Sequence, residues 1–367
     1  MRQVQVLLVV IAGVAALLLP ACSSHTTSSD AIKSASPSPP ATTPAPQAWA
    51  NTDNGTIFAT SDGVHWKKQS WSKGKGIYDV AFADSLHGWA LSKGAILATT
   101  DGGATWQPQH QTLSDSLDGL ACTDSKHAWV TGNDSKKRPI ILGTADGGAT
   151  WSQQYSGARD DYLWNIAFAD STHGWAITDP YGVLATSDGR HWHEQKSAAR
   201  TAEPLNPYPG GVYFYGIACG DAKHVWIAGG YGAGAGNALI LATKDGGETW
   251  KVQSSKLGGS FFGVAATDAM HAWVAWFGNS VLSTRNGGAT WKVTTMRRMG
   301  RKLSLESVAF RDATHGWAVG DYMSQTIFKG AIVATSDGGK TWTKPKVVSG
   351  CSFRNVTCIK TPTKKPK

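Results

Sequence analysis

No apolar run in this sequence is long enough to span a bilayer comfortably. The longest, residues 6–19, has the length of a signal-peptide core and follows Met1-Arg2. Charged residues are also scarce, at 17%, yet the balance is +9. Such a chain favours anionic neighbours: acidic lipid head groups, wall polymers or an acidic protein segment. Residues 23–47 hold almost no bulky apolar side chains, only Ser, Thr, Pro and Ala in quantity. A stretch of that kind cannot bury enough surface to fold and reads as an extended tether. What the chain has in excess is 17 Trp and 42 Gly. Evenly scattered bulky packing units among turn formers point to repetitive β structure.

Leu19-Pro20-Ala21-Cys22 resembles the lipobox of bacterial lipoproteins, with Pro20 standing where a small residue is usual. The resemblance implies removal of residues 1–21, acylation of Cys22 and anchoring on the outer surface of the cell membrane. One acyl chain holds a membrane weakly, so firm attachment needs further chains or a basic patch. An exported protein is not expected to meet nucleic acid.

Self-similarity decides the fold. The pattern Ser/Thr-x-Asp-x-Gly-x-x-Trp ends at Trp66 and recurs, with one residue more in some copies, ending at Trp106, Trp151, Trp192, Trp250, Trp291 and Trp342. These seven copies resemble the Asp-box, or bacterial neuraminidase repeat. A second motif places His two residues before Trp89, Trp129, Trp175, Trp226, Trp273 and Trp317. Trp49 precedes Trp66 by the same 17 residues that separate Trp89 from Trp106. Each unit reads as four short strands, for example residues 78–83, 88–92, 95–99 and 105–109. Units of roughly 45 residues suit four-stranded propeller blades. The first unit lacks its first strand, and residues 355–359 supply one. The expected architecture is therefore an all-β, seven-bladed propeller over residues 48–360, with the C-terminal strand completing the first blade. Residues 22–47 form the tether, and 361–367 a basic disordered tail.

In each box the acid accepts backbone N–H bonds across a turn while Gly takes positive φ. Asp62, Asp101, Asp146, Asp188, Asp245 and Asp337 fill this structural role, and Asn286 substitutes in the sixth copy. His87, His127, His173, His224, His271 and His315 belong to six different blades, so turn packing rather than a metal cluster is expected. No cofactor and no metal are expected. Cys122, Cys219 and Cys358 stand where other blades carry Phe82, Phe168 and Phe310, which reads as buried thiols. Cys351 has no repeat counterpart, and a Cys351–Cys358 bridge is permitted by an oxidising compartment without being demanded.

Loop lengths separate two faces. The first-to-second and third-to-fourth connections are constant. All length variation falls on the other two, at 133–139, 229–237 and 321–329, and at 155–163, 196–212 and 294–305. Variable loops on a rigid frame are where binding resides. The candidate binding residues there are Arg159, Tyr162, Tyr181, Arg200, Tyr208, Tyr213, Tyr231, Arg297, Arg298, Arg301 and Tyr322, with residues 296–302 the densest basic run.

The Asp-box first suggests a sialidase, but those enzymes need an arginine triad and a Phe/Tyr-Arg-Ile-Pro motif, and no such motif precedes the first box here. Xyloglucan-cleaving hydrolases also use Asp-box propellers, typically two around a cleft. Asp160, Asp161, Asp179, Glu203, Glu306 and Asp321 offer carboxylates for glycosidic cleavage without singling out a pair. Thr314–Gly320 and Thr335–Trp342 are similar to phrases of the photosystem II stability and assembly factor family, over residues 48–360. That resemblance implies a single exported propeller that engages a membrane-protein partner. The expected function is a non-catalytic, monomeric binding or assembly propeller docking a protein or an anionic envelope partner on its variable face. A carbohydrate-active hydrolase is the alternative.

Overall fold

Each repeat folds into one four-stranded antiparallel sheet. Its second and third strands are largely buried, in blade three along their whole length, Ala128–Asn133 and Pro139–Thr144. Strands covered on both faces read as near-continuous apolar runs, which is why period-2 alternation is weak here. The outermost strands, such as Ser152–Ser156, are polar and mostly exposed. In this computed structural model the described residues are 44–70, 76–111, 116–158, 162–179, 182–195, 212–231, 237–276, 278–296, 303–322 and 328–361. The expected signal peptide, Cys22 and the tail beyond residue 361 lie outside them, as does all but the end of the tether. Among the described residues no helix is long and apolar enough to cross a membrane.

Seven such sheets form a seven-bladed propeller, blades one to seven following the order of the Asp-boxes. The innermost strands, from blade one to blade seven, are Phe353–Cys358, Ile77–Phe82, Ser116–Cys122, Tyr162–Phe168, Val212–Cys219, Phe261–Ala266 and Leu303–Phe310. Each neighbours the next around a closed ring. Blade one is completed by the C-terminal strand, in the register Ala48↔Cys358 and Ala50↔Val356. The two ends of that strand are pinned. Ser352 N–H donates to Asp53 Oδ1 and Phe353 N–H to Asp321 Oδ1, each at 3.0 Å, and Ile359 N–H reaches the Gln47 carbonyl at 3.1 Å. Closure gives blade one its full set of four strands, so the edges that remain are the short, polar outermost strands of the blades.

Blade two matches its expected second and third strands, Gly88–Ser92 and Ala95–Thr99. Its fourth begins later than expected, at Gln107. The Asp-box loop runs through Thr105, whose N–H and hydroxyl both bond Asp101, at 2.8 and 2.6 Å. Two expected insertions prove to be longer hairpins: the middle strands of blade five, Val225–Tyr231 and Asn237–Thr243, and of blade seven, Gly316–Tyr322 and Lys329–Thr335, run seven residues each.

Neighbouring blades are clamped at the Asp-boxes. The indole N–H of Trp317 in blade seven donates to the Gly63 carbonyl of blade one at 2.9 Å, closing the ring. Trp49, Trp129, Trp175 and Trp273 make the same bond to the box glycine of the following blade, at 2.9 to 3.1 Å. A glutamine three residues after the box tryptophan adds a second tie. Gln69, Gln109, Gln195 and Gln253 each donate to the next blade's glycine carbonyl. A Cβ on Gly148 would lie 1.7 Å from Gln109 Oε1, so the box needs glycine there for closeness as well as for its φ of +87°.

The free thiols of Cys122, Cys219 and Cys358 stand in the phenylalanine position as expected, but only Cys219 is fully buried; Cys122 and Cys358 are partly exposed. Phe82, Phe168 and Phe310 pair with Gly88, Gly174 and Gly316 and stack on the previous blade's tryptophan, at 3.5 to 3.6 Å. The cysteines pair instead with Ala128, Val225 and Ala48. Burial pushes the Cys358 thiol up to about 12. Cys351 is free too. It sits before one end of the extended Phe353–Cys358 strand with Cys358 at the other, roughly 20 Å apart at 3.3 Å per residue, and a bridge needs less than about 7 Å.

Candidate functional site

The constant face carries the Asp-boxes and is built for stability. Asp62 Oδ1 accepts the Val64 and His65 N–H groups at 2.9 and 2.7 Å. Asn286 makes the equivalent bond to Thr290 N–H at 2.9 Å. Hydrogen bonds from Thr150 hold the Asp146 carboxyl down at about 2. The six motif histidines each pair with the aspartate three residues earlier, as His87 Nδ1 does with Asp84 at 2.9 Å. Among the described residues no group of three His, Cys, Asp or Glu could hold a metal ion.

The opposite face is different. Every innermost strand breaks register once, near its start, at Tyr78, Asp118, Trp164, Tyr215, Phe262, Glu306 or Arg354. A β-bulge gives one strand an extra residue and re-aims its side chain, and bulges concentrate at rims and functional sites. Here one bulged residue per blade stands at the mouth of the central channel on the variable-loop face. Six of them line a cavity of about 370 Å³. Trp164, 46% exposed, occupies the corresponding place in blade four.

The residue after each bulge explains how seven strands converge so closely. It is Asp79, Gly119, Asn165, Gly216, Gly263, Ser307 or Asn355. Either a short polar side chain bridges to a neighbouring strand or there is room for none. Asp79 accepts from Val80 N–H at 2.8 Å, from Leu120 N–H of blade three at 3.0 Å and from Asn355 Nδ2 of blade one at 2.5 Å. Ser307 Oγ donates to Asn355 Oδ1 at 2.6 Å. Asn165 Nδ2 reaches the Tyr215 carbonyl at 3.3 Å. A Cβ on Gly216 would meet the Phe262 carbonyl oxygen at 2.4 Å.

The mouth is divided chemically. Blades four to six present Trp164, Tyr215 and Phe262, with Tyr162 stacked beside Trp164 at 5.8 Å and Tyr215 tilted against Phe262 at 5.5 Å. Blades seven, two and three present Glu306, Tyr78 with Asp79, and Asp118, and Arg354 of blade one is the cation among them. Burial raises the Asp79 carboxyl to about 7 against its three N–H donors. Burial also raises Asp118 and Glu306, the latter helped by Asp321 and opposed by Arg354. Asp321 is raised by burial, although Ser352 Oγ and Phe353 N–H bond it.

Of the sequence-derived candidates, Tyr162 and Tyr213 are exposed at the start of the innermost strands of blades four and five. Tyr322 is partly buried against the apolar core between blades six and seven. Arg159, Tyr181, Arg200, Tyr208, Arg297, Arg298 and Arg301 lie outside the described residues, as does the side chain of Tyr231. So do Asp160, Asp161, Glu203 and the side chain of Asp179 among the candidate carboxylates. Glu306 and Asp321 both lie in blade seven, beside Arg354 of blade one. Trp164, Tyr215, Phe262, Asp118 and Arg354 were not anticipated. Their signal is a position that changes from blade to blade inside an otherwise constant strand.

Residues 58–156 and 157–304 match the family model described as photosynthesis system II assembly factor YCF48. No curated protein matches the chain. Among solved structures it is similar to YCF48 bound to D1 peptide, at 18% identity and TM-score 0.55, covering 84% of this chain and 87% of that one. It is similar to YCF48 from Cyanidioschyzon merolae, at 20% identity and TM-score 0.57, covering 77% and 88%. It also resembles the GH74 xyloglucanase from Xanthomonas campestris, at 14% identity and TM-score 0.58, covering 86% of this chain and 52% of that one. The chain thus spans about half the length of that enzyme.

Proposed function

The chain belongs to the photosynthesis system II assembly factor YCF48 family, and on that premise we propose that it is a protein-docking propeller. Its partner is a segment of another protein, received at the channel mouth on the variable-loop face. One observation carries this reading: a bulge in every innermost strand sets a residue at the same level of the mouth, and its kind changes around the ring, tyrosine alone occurring twice. A purely structural channel has no use for seven individually varied residues at one level. The relative solved with a D1 peptide supports a peptide-like ligand. We further propose that the protein is exported and held at the outer surface of the cell membrane through a lipid on Cys22. Pro46 and Gln47 lie against the Asp-box turns, at Gly102 and Ser61.

The alternative is glycan hydrolysis, supported by the likeness to the GH74 fold and by carboxylates in the mouth. It is weakened by the occupation of two of the four among the described residues, which leaves only Asp118 and Glu306. Both oxygens of Asp79 accept N–H bonds, and those of Asp321 are taken by Ser352 and Phe353. The two readings separate in one experiment. The full chain and its Trp164→Ala/Tyr215→Ala variant are used to capture partners from the native envelope, beside a glycan array and a xyloglucan turnover assay. Docking predicts capture that the variant loses, with no turnover. Xyloglucan turnover abolished by Glu306→Gln would overturn it.

A further inference from the structure

The division of the mouth into an aromatic half and a carboxylate half specifies a ligand chemistry. We propose that it holds the side chain of a lysine or arginine carried by an extended, apolar-flanked segment of the partner protein; this rests on the docking reading above.

The whole chain carries +9, yet among the described residues the mouth gathers Asp118 and Glu306, beside the already bonded Asp79, around Arg354, with Asp321 close enough to Glu306 to raise it. Among the described residues Glu306 has no hydrogen-bond or ion-pair partner, and Arg354 lowers it only through space. Desolvated carboxylates without a full complement of donors are costly, and an incoming ammonium or guanidinium supplies donors and opposite charge together. Charge complementarity thus selects a cation over a neutral sugar.

Geometry selects a cation on an apolar chain. Trp164, Tyr215 and Phe262 come from three consecutive blades, and the first two are 46% and 39% exposed. Their rings offer faces for a cation and apolar area for flanking side chains. Tyr162 and Tyr213, 44% and 38% exposed at the same strand starts, extend this aromatic side away from the channel. A free metal ion fits less well, because no metal-holding cluster exists among the described residues. A flexible segment that inserts one long basic side chain and lies across the rings uses both halves.

Calorimetry tests this with the full chain and three synthetic pentapeptides, identical except that the central residue is Lys, norleucine or Glu. The Lys peptide should bind best and weaken about tenfold or more for Asp118→Asn/Glu306→Gln, the order expected for losing charged hydrogen bonds. It should also weaken when salt rises from about 50 to about 500 mM. Arg354→Gln should tighten the Lys peptide about threefold through removal of a like charge, a gain that no misfolded variant would give. Equal binding of Lys and norleucine peptides, or weaker binding by Arg354→Gln, overturns the cation. If those results come with envelope capture that Trp164→Ala/Tyr215→Ala abolishes, docking stands and only the ligand chemistry is wrong. If that variant captures as well as the native chain, the mouth itself is wrong.

Discussion

Replacing the two matched tryptophans Trp317 and Trp226 by phenylalanine should give opposite signs of a polar effect at nearly equal loss of packing. Both side chains are buried, 3% and 1% exposed, and neither stacks on a phenylalanine, because the next blade offers Cys358 or Ala266 at that place. Trp317 Nε1 donates to the buried Gly63 carbonyl at 2.9 Å. Trp226 Nε1 is buried with no acceptor among the described residues. The Gly287 carbonyl of blade six, its counterpart acceptor, receives Gln253 Nε2 at 3.1 Å but not the indole, whereas the Gly102 and Gly246 carbonyls accept both. Trp317→Phe strands a buried carbonyl and should lose about 1–3 kcal/mol beyond packing. Trp226→Phe removes a stranded donor and should recover a comparable amount, offsetting part of the lost ring. The two variants should therefore differ by about 3 kcal/mol in the urea unfolding free energy, with Trp317→Phe the weaker. Equal losses would refute the claim that indole-to-glycine bonds, rather than ring packing alone, clamp the blades.

Two further outcomes follow from the channel and its acids. Stability should peak near pH 4–5. Box and turn aspartates such as Asp146, Asp170, Asp245 and Asp337 are held at about 2 in the fold, so the stability they give is present above their unfolded value of 3.8 and is lost as pH falls towards 2. Asp79 is raised to about 7, so its folded form binds the proton more tightly and stability falls as pH rises from about 4 to 7. Thermal unfolding across pH 2–8 checks both limbs, and Asp79→Asn should flatten the upper one. Gly216→Val places a side chain against the Phe262 carbonyl, 2.4 Å from its Cβ. It should cost about 1–3 kcal/mol by overpacking, read as a lower urea midpoint; an unchanged midpoint would contradict the close approach of strands at the channel waist.

The repeat made most of the fold legible. A box tryptophan every blade, and a His-x-Trp ahead of nearly all, set the register of the strands, and the unmatched segment 355–359 pointed to ring closure. The glutamine clamp was equally present, three residues after Trp66, Trp106, Trp151, Trp192 and Trp250, but its meaning needs the neighbouring blade in place. The mouth was harder to read. A bulge breaks the two-residue period locally, so Tyr78-Asp79 or Glu306-Ser307 in a sequence gives no sign of which side chain faces the channel. Loop length and the basic residues 296–302 are legible by contrast, because charge and insertion length need no geometry. The carboxylates and rings at the bulges become a site only when seven strands are brought side by side.

The most direct test of the docking account is a crosslink map in the native envelope. A photoreactive phenylalanine analogue is placed singly at Trp164, Tyr215 and Glu306 on the channel mouth, and at Leu86, Lys126 and Thr314 on the Asp-box face. The account predicts that adducts to one partner protein form from the three mouth positions and not from the Asp-box positions. Adducts formed equally from both faces, or only from the Asp-box face, would contradict it.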